Sequence, residues 1–341
     1  MTKAIQLAIL SFFWGACTSQ APQYRQPVNN QDVSQDTQGS ATPVPDEEVE
    51  ETLPEDEVDQ VLGEQIEQGN LMVQWIHGSA DCNADANPAI QVHQYSKTVY
   101  ILRQNKCTNF EAPFIYLILG ESKALLLDSG ATANAQTFPI QTMVSNIMNQ
   151  HYGPQIGNVE LIVAHSHAHG DHTAGDGQFQ GQDRTTVVGV SQAAVAEFFG
   201  IADWPNQIVT YDLGNRPLSI VAIPGHEDAH IAVYDPKTAL VLTGDSLYPG
   251  RLYINQWETY RTSITRMTNF FADKEVRYVL GAHIEMSNTP GQDYPIRTTF
   301  QPDEHPLQLS IDTVKELNTE LQGIGPNPMR KVNDSFIITP L

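Results

Sequence analysis

The residues with the clearest chemical potential lie at positions 165–172, where four histidines and one aspartate follow an apolar run. They include the pattern H-x-H-x-D-H, formed by His167, His169, Asp171 and His172. Imidazole nitrogen and carboxylate oxygen together suit zinc or iron. His167 and His169 are two residues apart, so in an extended segment both can reach one ion. Asp171 and His172 face another way and can serve a second ion.

Three further side chains with ligand chemistry each follow a predicted strand. His226, Asp245 and His283 come after apolar runs at 218–223, 239–243 and 278–280, respectively. Each lies close to a glycine that lets the backbone approach. Ligands on loops at strand ends form a site on a rigid scaffold.

The elements that must position these residues can be read from the hydrophobic pattern. Strands are predicted at 99–102, 114–119, 124–128, 159–164, 186–190, 218–223, 231–234, 239–243 and 278–280. Helices are predicted at 131–150, 191–199, 260–271 and 309–321. Strands that pair early and then alternate with helices predict an α/β fold, with sheets packed between helices in four layers.

The ligand pattern and its spacing resemble the metallo-β-lactamase fold superfamily over roughly residues 90–290. The resemblance is to its glyoxalase II-like and lactonase-like branch, and it implies an αββα sandwich with the site at one edge of the two sheets. It also implies a first metal held by His167, His169 and His226, and a second held by Asp171, His172 and His283, with Asp245 bridging the two. Asp128 matches an early aspartate near the site that supports the ligands without binding the metal.

The resemblance implies a metallo-hydrolase with two zinc ions per chain, and iron or manganese would also suit the ligands. Two such ions share a water and lower its pKa toward neutrality, which gives a hydroxide that attacks the substrate. We expect a small ester, lactone or thioester as the substrate. Asp171 is the expected catalytic residue, accepting or passing the proton that this water releases.

Particular residues argue against other functions on the same fold. A mononuclear iron persulfide dioxygenase is the main alternative, but such enzymes lack the second ligand set. True β-lactamases carry Cys or Ser in place of Asp245. Glyoxalase II carries basic residues after the site, whereas only four Lys or Arg occur in the 58 residues after His283. A non-catalytic metal-binding lipoprotein would have a damaged ligand set, and no ligand is missing here.

Several residues near the ligands are candidates for substrate contacts: His230, Tyr248, Arg251, Tyr253 and Glu285. A structural role is equally open for His230, and ordinary loop packing is the alternative for the others. His165 is interpreted as a supporting or surface histidine. His305 is expected to pack near the C-terminal helix.

The charge distribution excludes some partners. The net charge is −22, and residues 26–70 contain 13 acidic residues but no Lys or Arg. After residue 70, 27 acidic residues face 16 basic ones, which leaves −11. Nucleic acid is therefore not an expected partner, because phosphate binding needs clustered cations. We expect a small-molecule substrate, and the sequence predicts no oligomeric state.

The N-terminal part is typical of an exported bacterial protein. Residues 1–17 predict a signal peptide whose Gly-Ala-Cys ending resembles a lipobox, so Cys17 would carry a lipid. Simple secretion and an uncleaved anchor are the alternatives. Residues 18–70 predict a disordered acidic tether, and 71–341 the catalytic domain. We expect a protein on the periplasmic side or in the cell envelope, touching the membrane only through its lipid.

Two cysteines lie within the predicted catalytic domain, and they form an even pair. Cys82 and Cys107 are far in sequence from the histidine motif. In an oxidising compartment they predict a disulfide, with two free buried thiols as the alternative.

Overall fold

The structure, a computed structural model, describes residues 66–341. The predicted signal peptide, Cys17 and most of the predicted tether lie outside these residues. Residues 66–70 were assigned to the tether, yet the Glu67 amide donates to the Lys237 carbonyl (2.7 Å) and the Asn70 amide to the Tyr95 carbonyl (2.9 Å). The folded part therefore begins before residue 71, because these backbone groups are satisfied by partners within it. Within residues 66–341, no helix combines the length and apolar character needed to cross a membrane.

The first sheet contains six strands in sequence order. They are β1 (Ile90–Gln94), β2 (Val99–Gln104), β3 (Phe114–Leu119), β4 (Lys123–Leu127), β5 (Glu160–Ala164) and β6 (Thr185–Val187). The strands from β1 to β4 are antiparallel, whereas β4, β5 and β6 run parallel. Strands β3 and β4 form a hairpin, and β5 ends directly before the residues 165–172 that contain the H-x-H-x-D-H pattern.

The second sheet also contains six strands. They are β7 (Val209–Asp212), β8 (Pro217–Ala222), β9 (Ile231–Asp235), β10 (Leu240–Gly244), β12 (Tyr278–Gly281) and β13 (Gln308–Leu309). Their order in the sheet is β13-β12-β10-β9-β8-β7. Strands β10 and β12 are parallel, and the remaining pairs are antiparallel. It follows that β8, β10 and β12 point in the same direction.

The third sheet is small and was not predicted. It consists of β11 (Arg251–Ile254), β15 (Ile337–Pro340) and β14 (Lys331–Val332), in the order β11-β15-β14. Strand β11 is short and its partner lies more than 80 residues away in sequence. A pairing of this kind leaves no local pattern in the sequence.

Within residues 66–341, five α-helices accompany the sheets: α1 (Ile140–Tyr152), α2 (Gly170–Thr173), α3 (Gln192–Phe199), α4 (Trp257–Phe270) and α5 (Ile311–Ile324). Ser191 caps α3 by accepting a hydrogen bond from the Ala194 amide, as the sequence predicted. Ser310 forms a capping box with Thr313, which starts α5 two residues later than predicted. Helix α1 starts nine residues later than predicted, because Pro139 disfavours a helix at the residue before it and cannot lie in a helix interior.

Alternate side chains of the strands face two different layers. In β3, Phe114, Tyr116 and Ile118 join the core between the two large sheets. Ile115, Leu117 and Leu119 pack instead with α1 residues such as Val144 and Ile147. On the far side of the second sheet, Tyr234 and Val241 pack with α4 and α5. The order helix, sheet, sheet, helix confirms the predicted four-layer αββα sandwich.

A disulfide joins Cys82 to Cys107 in the structure. It connects the segment before β1 with the loop between β2 and β3. The structure therefore contains the predicted disulfide and not two free buried thiols.

The two large sheets are also connected by a buried ion pair at the edge opposite to the histidine motif. Arg216 is 1% exposed, and its Nη2 lies 2.6 Å from Oδ2 of Asp235 at the end of β9. Its Nη1 donates to the Leu119 carbonyl (2.8 Å) and to the Thr98 hydroxyl (2.6 Å) in the first sheet. One guanidinium thus satisfies groups from both sheets.

Replacing this arginine is expected to destabilise the fold. In Arg216→Ala the carboxylate of Asp235 would stay buried without its partner, and breaking such a pair costs about 3–5 kcal/mol. Chemical denaturation monitored by circular dichroism would measure the free energy of unfolding. The exposed Lys237, two residues from Asp235, provides a control. Lys237→Ala is expected to change stability by less than about 0.5 kcal/mol, and equal losses in both variants would contradict the role given to Arg216.

Candidate metal centre

The ligand residues lie at strand ends that meet along one edge of the sandwich. Asp128 follows β4 and the histidine motif follows β5, which is parallel to β4. On the second sheet, His226, Asp245 and His283 follow β8, β10 and β12, which point the same way. All seven predicted ligands come together in two groups of metal-binding geometry.

The first donor set consists of three histidines. Nε2 of His167 lies 2.9 Å from Nδ1 of His169 and 3.2 Å from Nε2 of His226. Nδ1 of His169 is 3.1 Å from Nε2 of His226. Nitrogen ligands of a tetrahedral zinc at ~2.0–2.1 Å are separated by roughly 3.3 Å. The three nitrogens therefore converge as ligands of one ion would.

The second donor set combines carboxylates and imidazoles. Oδ2 of Asp171 lies 3.2 Å from Nε2 of His172 and 3.3 Å from Nε2 of His283. Asp245 completes this set, since its Oδ1 is 3.4 Å from His172 and 3.3 Å from His283. This mixture of nitrogen and oxygen donors suits zinc, iron or manganese.

Asp245 lies between the two donor sets. Its Oδ1 faces the second set, whereas its Oδ2 lies 3.9 Å from Nε2 of His167 and 3.7 Å from Nε2 of His226 in the first. A carboxylate in this position can offer one oxygen to each of two ions. This is the arrangement that a bridging ligand requires.

The outer nitrogens of three ligand histidines are held by hydrogen bonds. Nδ1 of His226 donates to the Tyr253 carbonyl (2.7 Å), and Nδ1 of His283 to the Glu111 carbonyl (3.0 Å). Nδ1 of His172 donates to Oδ2 of Asp128 (2.8 Å). In the neutral imidazole that binds a metal, Nδ1 carries the proton and Nε2 carries the lone pair. In each of the three histidines Nε2 faces the donor set.

Two buried atoms at the centre of the site have no hydrogen-bond partner among the described residues. They are Nε2 of His172 and Oδ1 of Asp245. An orphaned buried polar atom is costly, and most such atoms in native structures have a partner. Both atoms belong to the second donor set, and a metal ion would satisfy both, so the residues present fit the metals that the sequence implies.

The surroundings of the site shift the pKa values of two buried histidines in opposite directions. Burial and the neighbouring imidazoles lower the pKa of His167 well below its usual value. Burial also acts to lower the pKa of His172, but the carboxylates of Asp128, Asp245 and Asp171 outweigh it and raise that pKa. A metal ion entering the second donor set must therefore displace a proton, so its affinity falls as the pH falls.

The two sheets approach each other very closely behind the ligands. Gly244 has φ +50, and a Cβ added there would lie 2.6 Å from Cβ of Ser166 and 2.8 Å from Nε2 of His230. Only glycine fits this position without displacing a neighbour. The contact places Asp245, the next residue, against the histidines that follow β5.

Two of the predicted substrate residues are inaccessible. His230 is fully buried, and its ring stacks on His167 with centroids 4.7 Å apart and planes at 7°. Its Nε2 donates to the Thr243 carbonyl, so the structural alternative describes it. Tyr248 is 2% exposed, and its hydroxyl donates to the Arg251 carbonyl. Neither side chain can contact a substrate, because strand and loop packing cover both.

The other three predicted substrate residues line a cavity beside His283. They are Arg251, Tyr253 and Glu285. The guanidinium of Arg251 is paired with Glu285 at 2.8 Å and with Asp293 at 2.7 Å. Arg251 is therefore neutralised by its neighbours, although it lies next to the centre.

Two remaining histidines have partners that the sequence did not indicate. His165 is buried, and its Nε2 lies 2.8 Å from Oδ1 of Asp176, so it is a supporting residue and not a surface one. Nε2 of His305 lies 3.0 Å from the Ser335 hydroxyl, in the segment before β15. The carbonyls of Glu111 and Tyr253 are also functional groups that sequence analysis missed, since backbone acceptors leave no signal in residue type.

Replacing Asp128 is expected to weaken metal binding without removing a ligand. In Asp128→Asn the Nδ1–H of His172 would lose its charged acceptor, and comparable changes cost about 10–100-fold in metal affinity. Competition with a chromophoric chelator would measure the zinc affinity. Asp176→Asn is a matched control, because Asp176 contacts a histidine outside both donor sets. Equal zinc affinity in Asp128→Asn and the unchanged protein would contradict this role.

Comparison with known proteins supports one family. Solved structures similar to this chain include a metallo-beta-lactamase from Pontibacter korlensis, with 16% identity, a TM-score of 0.46, and coverage of 68% of this chain and 99% of that one. Another is the metallo-beta-lactamase FIM-1 from Pseudomonas aeruginosa in its mono-zinc form, with 14% identity, a TM-score of 0.47, and coverage of 71% and 98%. A search of curated proteins finds no match. The sequence model of the metallo-beta-lactamase superfamily matches residues 108–317, more than half of the chain, and the chain therefore belongs to that superfamily.

Proposed function

We propose that this protein is a dinuclear zinc hydrolase of a small ester, lactone or thioester. Membership of the superfamily, together with the clustered histidines and aspartates, supports a metal-dependent hydrolase in general. The observation that carries the dinuclear proposal is the position of Asp245, whose two oxygens face different donor sets. If Asp245 served a single ion, only one of the two donor sets would have to be complete, whereas both are complete.

The donor chemistry is compatible with zinc. Three imidazole nitrogens form the first donor set, and imidazole with carboxylate forms the second. Zinc accepts both kinds of ligand in tetrahedral sites, and iron and manganese accept them as well. When bound, two such ions lower the pKa of a shared water and polarise the bond to be cleaved.

Asp171 is the residue proposed to move the proton. Its side chain is 22% exposed, whereas that of Asp245 is 9% exposed. Its Oδ2 faces His172 and His283, and its Oδ1 accepts no hydrogen bond from any of residues 66–341. We propose that Asp171 passes the proton at Oδ1 to the leaving group or to solvent, since it adjoins both the donor set and the open side of the site. Burial acts to raise the pKa of Asp171, but His172 and His283 outweigh it and lower that pKa, so the role requires metal ions that displace the protons of these histidines.

Two related activities are less well supported. A mononuclear iron persulfide dioxygenase would need only the first donor set and Asp245, which leaves the complete second set unexplained. A β-lactamase of the usual kind carries Cys or Ser at the position of Asp245. We place the protein in the glyoxalase II-like and lactonase-like branch for this reason.

The first test is metal content together with hydrolysis. Elemental analysis of the purified chain should find about two zinc ions, and His283→Ala should hold about one. Esters, lactones, thioesters and β-lactams would then be assayed with the zinc-loaded protein. One iron per chain, with oxygen consumption that depends on a persulfide, would contradict the hydrolase and support the dioxygenase.

The role of Asp171 has a separate readout within the same experiment. Asp171→Asn keeps an oxygen ligand but cannot accept the proton, so kcat should fall by about 10²–10⁴-fold with zinc content unchanged. Asp176→Asn is again the control, and it should keep its kcat. Full turnover by Asp171→Asn with both ions bound would exclude the role.

We further propose that the protein is exported and attached to a bacterial membrane through a lipid on Cys17. The signal-like residues 1–17 support export, and the Cys82–Cys107 disulfide is typical of an oxidising compartment. Cell fractionation should find the full chain with membranes and Cys17→Ala in the soluble envelope fraction. Recovery of both forms in the cytosol would contradict the proposal.

A further inference from the structure

A small cavity opens directly beside the metal centre. Its volume is about 90 Å³, and its wall includes the ligand His283 and Glu111, whose carbonyl holds that histidine. The loop after β2, the strand β11 and the segment 295–301 form the rest of the wall. Sites for drug-sized ligands measure ~300–1,000 Å³. This cavity therefore suits one short group of a molecule whose reacting bond lies at the donor sets.

Lys106 brings an unpaired positive charge to this cavity. It is 4% exposed, and its Nζ makes one hydrogen bond, to the Phe110 carbonyl at 3.0 Å. No carboxylate among residues 66–341 lies within 4.0 Å of it. An ammonium group has three donors and is rarely buried without a counter-charge. Arg251 on the same wall differs, since two carboxylates neutralise it.

The electrostatics of Lys106 agree with this geometry. Burial and the charge of Arg103 lower the pKa of Lys106 to about 8, against the opposite effects of Glu304, Glu285 and Glu111. The nearby carboxylates thus compensate its burial only in part. An anion placed at Nζ would supply the missing counter-charge.

Arg297 is the second cation of the cavity. It is exposed, its guanidinium lies 5.9 Å from the centroid of the Phe110 ring, and no carboxylate of the described chain is within 4.0 Å. Its backbone has φ +66, a left-handed conformation that is unfavourable for arginine. Strain of this kind persists where the surrounding structure enforces it, and it is common at ligand-binding sites.

The balance of charges on the cavity wall favours a ligand with a single negative charge. The wall carries three cations, Lys106, Arg251 and Arg297, and two carboxylates, Glu111 and Glu285. The net charge of these five side chains is +1. A carboxylate matches it, whereas a phosphate or a polyanion would meet repulsion from Glu111.

We propose that this cavity binds a carboxylate of the substrate, with Lys106 and Arg297 as the binding residues. The inference rests on the proposed hydrolase function and narrows its substrate class. The substrate would be an ester, lactone or thioester that carries a carboxylate a few atoms from the bond that is cleaved.

The test compares two esters that differ by one charge. The zinc-loaded full chain would be assayed with 4-nitrophenyl valerate and with the 4-nitrophenyl monoester of glutarate. We expect a higher kcat/KM for the glutarate monoester. This preference should fall about ten- to hundredfold in Arg297→Gln, because a charge-assisted hydrogen bond is lost. Lys106→Met should act in the same direction, and Arg330→Gln, an exposed cation outside the cavity, should keep the preference.

A binding measurement separates this inference from the hydrolase itself. Calorimetric titration with glutaramate, which has a single carboxylate, should detect binding to the unchanged protein and weaker binding to Arg297→Gln, an exposed position. If neither ester is hydrolysed but glutaramate binds in this manner, the cavity stands and the hydrolase proposal fails. If both esters are hydrolysed equally well and glutaramate does not bind, the carboxylate site is overturned and the hydrolase stands.

Discussion

The carboxylate of Asp128 is the interaction on which the rest of the site depends. It accepts hydrogen bonds from the amide (2.7 Å) and hydroxyl (3.0 Å) of Ser166 and from Nδ1 of His172 (2.8 Å). An ionised carboxylate that is 1% exposed needs such donors to offset its desolvation. It therefore ties the end of β4 to the start of the histidine motif and orients a ligand at the same time. The left-handed conformation of Asp128, at φ +73, is tolerated because these bonds hold it.

The site also concentrates buried polar groups whose unfavourable burial bound metals would offset. Five imidazoles and three carboxylates are packed at one edge of the sandwich, and two of their buried atoms have no partner in the described chain. Binding of positive ions to the folded state alone would therefore stabilise the fold. The proposed hydrolase activity and the stability of the fold would then depend on the same ions.

The residues whose types have a specific chemistry could be interpreted from the sequence alone. The histidine motif, the aspartate between the donor sets and the glycine-flanked strand ends predicted the fold class and the ligands that converge. Roles that depend on packing could not be predicted from residue type. His230 and Tyr248 were candidates for substrate contacts because they lie near ligands in sequence, but neighbouring strands bury both.

Other features had no local signal at all. Strand β11 was missed because its partner is distant in sequence, and the Glu111 and Tyr253 carbonyls were missed because any residue supplies a carbonyl. Lys106 and Arg297 are separated by 191 positions and meet at one cavity only through the fold. The predicted start of α1 was wrong because the apolar spacing from Ile140 onward does not itself mark the first helical residue, and Pro139 sets that boundary.

The close approach at Gly244 has a consequence for how this protein can change over time. A methyl group at that position would collide with Ser166, so the backbone that holds the ligands offers natural selection almost no room for variation. The cavity wall is different, because Ile296 and Arg297 project from an exposed loop that tolerates replacement. Descendants of this chain could therefore acquire new substrates by altering that loop, while the inherited metal-binding framework stays the same.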